Sequence, residues 1–124
     1  MADQGDAIVT MQEHHSDRGC HLTLRGRLDV RTVADLRLPL HRVIAGGTTP
    51  LLLDLAEVHV GDATGFGLLV ECLRRSRRAG RPLHIVAADD RTRRLLRRAR
   101  LGSLLEVSGT DAAVPGSLLA GAAG

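Results

Sequence analysis

The chain has 124 residues, 44% of them hydrophobic, and a formal net charge of +3 at pH 7, which is the size and apolar content of one globular domain. It holds one Phe and no Trp or Tyr, so the core must come from Leu, Val, Ile and Ala, and a surface for stacking nucleic-acid bases is not expected. No apolar run approaches the roughly 18–20 residues of a membrane span, and the opening MADQGDAIVT lacks the basic-then-apolar order of a secretory signal.

Residues 1–6 and 109–124 are rich in Gly, Ala and small polar residues and read as loose tails. Ala7 to His14 is a first strand, followed by the turn residues Ser16-Asp17-Arg18-Gly19. Leu22, Leu24, Gly26 and Leu28 then alternate with His21, Thr23, Arg25 and Arg27. That period of two marks a half-buried strand, and the pair forms a hairpin. Asp29 stands as N-cap of a first helix, with Val33, Leu36, Leu40 and Val43/Ile44 at helical spacing. Pro39 should bend that helix or interrupt its hydrogen bonding, and Gly46-Gly47 end it.

Leu51 to Leu55 is near-continuously apolar, as in a central strand covered on both faces. It leads into Gly61-Asp62-Ala63-Thr64-Gly65-Phe66-Gly67 and a second helix from about Gly65 to Ala79. The expected buried stripe of that helix is Phe66, Leu69, Val70 and Leu73, with Gly67, Glu71, Arg74 and Arg78 turned away. Gly80 suits the C′ position and Pro82 prevents continuation. Leu83 to Ala87 is the next strand. Asp89 or Asp90 caps a third helix from Arg91 to about Leu101, with Leu95, Leu96 and Ala99 inward. Leu104, Leu105 and Val107 close the domain. The order β-β-α-β-α-β-α predicts an α/β fold, a mostly parallel sheet led by a hairpin.

Cys20 and Cys72 have neither metal-type nor redox-type spacing, so free thiols in a reducing cytoplasm are expected. No P-loop, nucleophile elbow or dinucleotide fingerprint is present, and Asp29, Asp54 and Asp62 near the strand ends are weak grounds for an acidic active site. The chain is not expected to be an enzyme or to hold a cofactor. All seventeen basic residues are Arg, eleven of them between Arg74 and Arg100. Arg93, Arg97 and Arg100, with Arg94 and Arg98 beside them, form a stripe that could neutralise phosphates. It lies opposite the apolar residues, as a solvated helix face does, and specific nucleic-acid binding is the minor alternative.

Three blocks together resemble the STAS domain, a family named for sulphate transporters and anti-sigma factor antagonists. They are Leu24-Arg25-Gly26-Arg27-Leu28-Asp29, then Leu52-Leu53-Asp54-Leu55 with Gly61 to Gly67, and Arg94-Leu95-Leu96 with Leu101 and Leu104-Leu105. The middle block is the specific one and resembles the family's Asp-Ser-Ser-Gly-Leu-Gly, with Ala63 and Thr64 in place of the two serines. The resemblance implies a STAS-like mixed sheet of four to five strands with three to four helices, spanning residues 7–108.

A soluble single-domain version is most similar to the bacterial anti-sigma factor antagonists. For these the resemblance implies binding to an anti-sigma factor of the serine/threonine kinase type, release of a sigma factor, and loss of binding on phosphorylation. A phosphatase would restore the binding. The phosphoacceptor maps to Thr64. The expected partner-binding set is Asp29, Gly61, Asp62, Ala63, Thr64, Gly65, Phe66 and Gly67, with Phe66 weighing toward the core and Gly65 and Gly67 leaving the backbone open to a partner. The bland alternative is that Asp62 or Thr64 only caps a helix. A second binding class, an accessory STAS subunit of a lipid-transport ABC system, fits the same residues. His14, His15 and His21 beside Cys20 fit no standard zinc pattern. On the hairpin, alternation sends His14 and His15 to opposite faces, and they read as surface histidines without a metal.

Overall fold

The computed structural model describes residues 8–105; the expected tails 1–6 and 109–124, and Val107, lie outside them. The elements run β1 (Val9–Ser16), β2 (Gly19–Leu28), α1 (Val33–Ala45), β3 (Leu51–Val60), α2 (Ala63–Arg78), β4 (Leu83–Ala88) and α3 (Asp90–Arg98), followed by a single 3-10 turn at Gly102–Leu104. The sheet has four strands in the order β1-β2-β3-β4. The hairpin β1/β2 is antiparallel and the β2/β3 and β3/β4 pairs are parallel. Both parallel steps cross over through a helix, as parallel pairing requires.

One face of the sheet carries the core. Cys20, Leu22, Leu24 and Leu28 of β2 merge with Leu51, Leu53 and Leu55 of β3, and with Ile85 of β4, in one buried cluster. The helices close it with Val33, Leu36, Leu40 and Ile44 from α1, Leu68, Leu69, Cys72 and Leu73 from α2, and Leu96 from α3. Leu52 is buried but stands outside this cluster, since alternation turns it to the other face. Its β2 and β4 partners there are His21 and His84, so that face is only partly covered and not packed like the first.

Several boundaries differ from expectation, each for a local reason. β3 is ten residues long, not five. Exposed Ala56 and Glu57 break the apolar pattern because a β-bulge intervenes: Thr23 pairs with Asp54, but Arg25 pairs with Glu57. Asp54 serves the bulge, its Oδ1 accepting from Ala56 N at 2.9 Å. It therefore does not converge with Asp29 and Asp62. α1 runs through Pro39, which has no N–H to donate a helical hydrogen bond. The buried face of α2 is Gly65, Leu68, Leu69, Cys72, Leu73 and Ser76, whereas Val70 and Phe66 are half-buried at its margin. The expected stripe was thus rotated, because Gly65 and not Phe66 faces the sheet. Glu71 links α2 to α1, lying 2.7 Å from His41 Nε2 and 3.3 Å from Arg37 Nε.

Helices α2 and α3 end in the same Schellman geometry. In α2, Arg81 N donates to Ser76 O and Gly80 N to Arg77 O, with Gly80 at φ 70. In α3, Leu101 N donates to Leu96 O and Arg100 N to Arg97 O, but the left-handed residue is Arg100, at φ 64. With no glycine to mark this stop, the sequence predicts a helix to about Leu101 with Ala99 inward, whereas α3 ends at Arg98 and Ala99 is an exposed cap residue. A side chain in this conformation costs about 1 kcal/mol, so Arg100→Gly should raise the unfolding free energy by about that much in urea denaturation.

Candidate functional site

The end of β2, the loop into α1, the end of β3 and the start of α2 meet at one edge of the sheet. Gly61 N donates to Leu28 O at 2.8 Å, tying β3 to β2 where both strands finish. Asp62 is the N-cap of α2: its Oδ1 accepts from Gly65 N at 2.9 Å. Its Oδ2 accepts from Val30 N at 3.0 Å. One carboxylate therefore holds the first turn of α2 and the Leu28-to-α1 loop together.

Asp29 does not cap α1, whose N-cap is Thr32. It sits earlier, buried, and organises the loop: Arg31 N and Thr32 N donate to its Oδ1 at 2.8 and 3.2 Å, and Arg27 Nε donates to its Oδ2 at 2.9 Å. Thr32 returns the favour, its hydroxyl donating to Arg27 O at 2.7 Å. Desolvation pushes the Asp29 carboxyl pKa up, but the hydrogen bonds from Arg31, Arg27 and Thr32 together outweigh it and hold the pKa below the ordinary value of 3.8. A depressed folded-state pKa stabilises the fold above pH 3.8, and that contribution disappears as pH falls through the lower, folded value. Asp29→Asn should therefore be less stable than the wild type at neutral pH, and its stability should fall less steeply below pH 4, measured as urea midpoints across an acid series.

The residues singled out from the sequence occupy different depths here. Asp62, Ala63, Thr64 and Gly67 are exposed. Gly61 is half-buried beneath the Arg27 guanidinium, which a Cβ there would meet at 2.8 Å. Phe66 is half-buried and packs on the core. Gly65 is buried, and a Cβ on it would fall 2.0 Å from Leu28 O. Its missing side chain serves contact within the fold, not an approaching partner; of Gly61, Gly65 and Gly67, Gly67 alone has open space over it. Thr64 is the second residue of α2, and its hydroxyl makes no hydrogen bond among the described residues. Of the first-turn N–H groups, Gly65 N is taken by Asp62 Oδ1 and Phe66 N by Asp62 O. Those of Ala63 and Thr64 have no partner among the described residues, leaving donors and the positive end of the helix dipole beside the hydroxyl.

Sequence reasoning missed Val30. It is 65% exposed, while its backbone N–H is held by Asp62. An apolar side chain is thus presented next to the start of α2 on a loop braced by two carboxylates. In the sequence it follows Leu28-Asp29 with no periodic signal, so only the Asp62 tether reveals that it belongs to this surface.

Comparison with known proteins gives a consistent picture. The family model described as "Mlab, STAS domain" matches residues 11–106. Curated relatives named "Anti-sigma-B factor antagonist", from Staphylococcus aureus strains including NCTC 8325 and COL, are 32% identical over 96 residues, covering 77% of this chain and 89% of theirs. Among solved structures, an anti-sigma factor antagonist from Mycobacterium paratuberculosis superposes with a TM-score of 0.70 at 21% identity, covering 85% of this chain and 91% of its own. The anti-sigma factor antagonist SpoIIAA in its unphosphorylated form gives 0.63 at 18% identity, over 78% and 86%. The Bacillus cell fate determinant SpoIIAA in the phosphorylated form gives 0.64 at 19% identity, over 78% and 89%. At these identities the structures share the fold. Among the described residues no helix is long and apolar enough to cross a membrane.

Proposed function

The chain belongs to the STAS domain family, and from that we propose that it is an anti-sigma factor antagonist that works by binding and not by catalysis. It docks an anti-sigma factor of the serine/threonine kinase type on the surface formed by Val30, Asp62, Ala63, Thr64 and Gly67, which frees a sigma factor. Phosphorylation of Thr64 ends the binding, and a phosphatase restores it. The observation that carries the reading is Thr64 itself, an exposed hydroxyl with no hydrogen-bond partner among the described residues, at the second position of α2 on a surface whose backbone is braced from below. The name shared by the 32%-identical relatives points to the same partner class.

The chemistry of the position supports a switch. A phosphate adds about −1.5 to −2 charges and three acceptor oxygens. Beside the unpartnered N–H groups of Ala63 and Thr64 it is accommodated by the folded domain. The same dianion is costly in an interface, next to exposed Asp62 and apolar Val30. That SpoIIAA, a protein of like fold, is known in both unphosphorylated and phosphorylated forms agrees with a domain that keeps its fold through such a modification.

Affinity purification of the full chain from its native host tests the partner class. Recovery of an anti-sigma factor of the kinase type is the expected result. Recovery of an ABC-transporter ATPase in its place would replace this reading with that of an accessory STAS subunit.

A further inference from the structure

Away from the start of α2, at the opposite end of β2, the hairpin brings three metal-ligating side chains together. Glu13 and His15 lie two residues apart on β1 and therefore on one face of the strand. His15 pairs directly across from Cys20 on β2. His15 Nε2 lies 2.9 Å from Glu13 Oε2, and the Cys20 thiol donates to that same oxygen at 3.7 Å. All three donor atoms fall within 4.8 Å of one another. A tetrahedral shell with bonds of about 2.0 Å to nitrogen and oxygen and about 2.3 Å to sulfur sets its ligand atoms roughly 3.3–3.7 Å apart. The present spacings, from 2.9 Å up to within 4.8 Å, bracket that range.

We propose that Glu13, His15 and Cys20 form a binding site for a divalent cation of the zinc class, held by three protein ligands with water in the fourth position. A thiolate, an imidazole and a carboxylate together suit Zn2+ or Co2+ and disfavour Mg2+ and Ca2+. Access comes from an open cleft of about 530 Å³ lined by Glu13, His15, Thr49 and Arg81. Arg42 and Arg81 also line that cleft; the Arg81 guanidinium donates to the neutral Val43, Ile44 and Thr49 carbonyls and keeps its charge, so both arginines work against a cation and the anionic ligands must outweigh them. The Glu13 carboxylate and the Cys20 thiolate, whose proton leaves to solvent, neutralise a dication completely. The three ligands fall close together in sequence but in no standard zinc pattern, and hairpin register is what sets Cys20 opposite His15. On the opposite face the His14 and His21 rings lie with centroids 5.2 Å apart, tilted by 40°, and His21 Nε2 is already hydrogen-bonded to Ser16 Oγ at 2.8 Å; they serve as an internal control.

The test titrates the metal-free full chain with Co2+ alone, follows the thiolate-to-cobalt charge-transfer band, and then displaces the ion with Zn2+. The expected result is one equivalent bound with that band present in the wild type, in Cys72→Ser, in His14→Gln and in His21→Gln. Cys20→Ser should lose the band, and Glu13→Gln and His15→Gln should each weaken binding at least about tenfold, roughly 1.4 kcal/mol. Glu13 and His15 are exposed, so those two variants decide the matter even if removing the buried Cys20 thiol unfolds the domain. Absence of the band from the wild type, undiminished binding by Glu13→Gln and His15→Gln, or binding that tracks His14 and His21, would overturn the proposal.

Discussion

Gly65→Ala is expected to lower the unfolding free energy by about 3 kcal/mol, the upper end of what overpacking costs. The added Cβ would lie 2.0 Å from Leu28 O, 2.4 Å from Leu28 C and 3.0 Å from Asp29 N. All three are backbone atoms where a strand ends and a turn begins, so no side chain can swing aside. The first turn of α2 would have to lift off β2, and Asp62 could no longer reach both Gly65 N and Val30 N. Stability and partner binding should therefore fall together. Gly67→Ala is the control: nothing lies within 4 Å of its Cβ position, and alanine in a helix should be neutral or stabilising by about 0.5–1 kcal/mol. Urea denaturation of the pair checks both expectations, and equal stability of Gly65→Ala and wild type would mean that α2 does not sit on β2 as described.

Thr64→Glu should act in the opposite way, on binding and not on stability. The side chain is exposed and a negative charge in the first turn of a helix is favoured by about 0.3–1 kcal/mol, so the thermal midpoint should stay level or rise slightly. Affinity for the anti-sigma factor should drop by about 100-fold, roughly 2.7 kcal/mol, as read by calorimetric titration. Wild-type affinity in this variant would remove Thr64 from the interface.

Much of the fold was legible because the hydrophobic period stated it. The alternation from Leu22 to Leu28, the apolar run from Leu51 and the Gly80-Pro82 stop each carried a local signal that the tertiary structure left intact. What escaped were features decided by register. The β3 bulge hid half of that strand, and Arg100 in a left-handed conformation gave α3 a stop with no glycine to announce it. The same holds at the candidate site. The segment from Gly61 to Gly67 was visible as a motif, but the division of labour within it was not. Gly65 and Asp29 face inward and hold the loop, Asp62 braces two elements, and exposed Val30 joins the surface from 32 positions upstream of its tether. Cys20 beside Glu13 and His15 follows from hairpin pairing, which no spacing rule encodes.

One titration tests whether the exposed Thr64 hydroxyl on its braced helix start switches the docking surface. The full chain is incubated with its anti-sigma factor and ATP, the modified residue is located by mass spectrometry, and modified and unmodified forms are titrated against the same partner. A single phosphate on Thr64, no phosphate on Thr64→Ala, and binding by the unmodified chain that the phosphorylated chain loses are the expected results. A phosphate placed elsewhere, or a Thr64-phosphorylated chain that binds as tightly as the unmodified one, would contradict the switch.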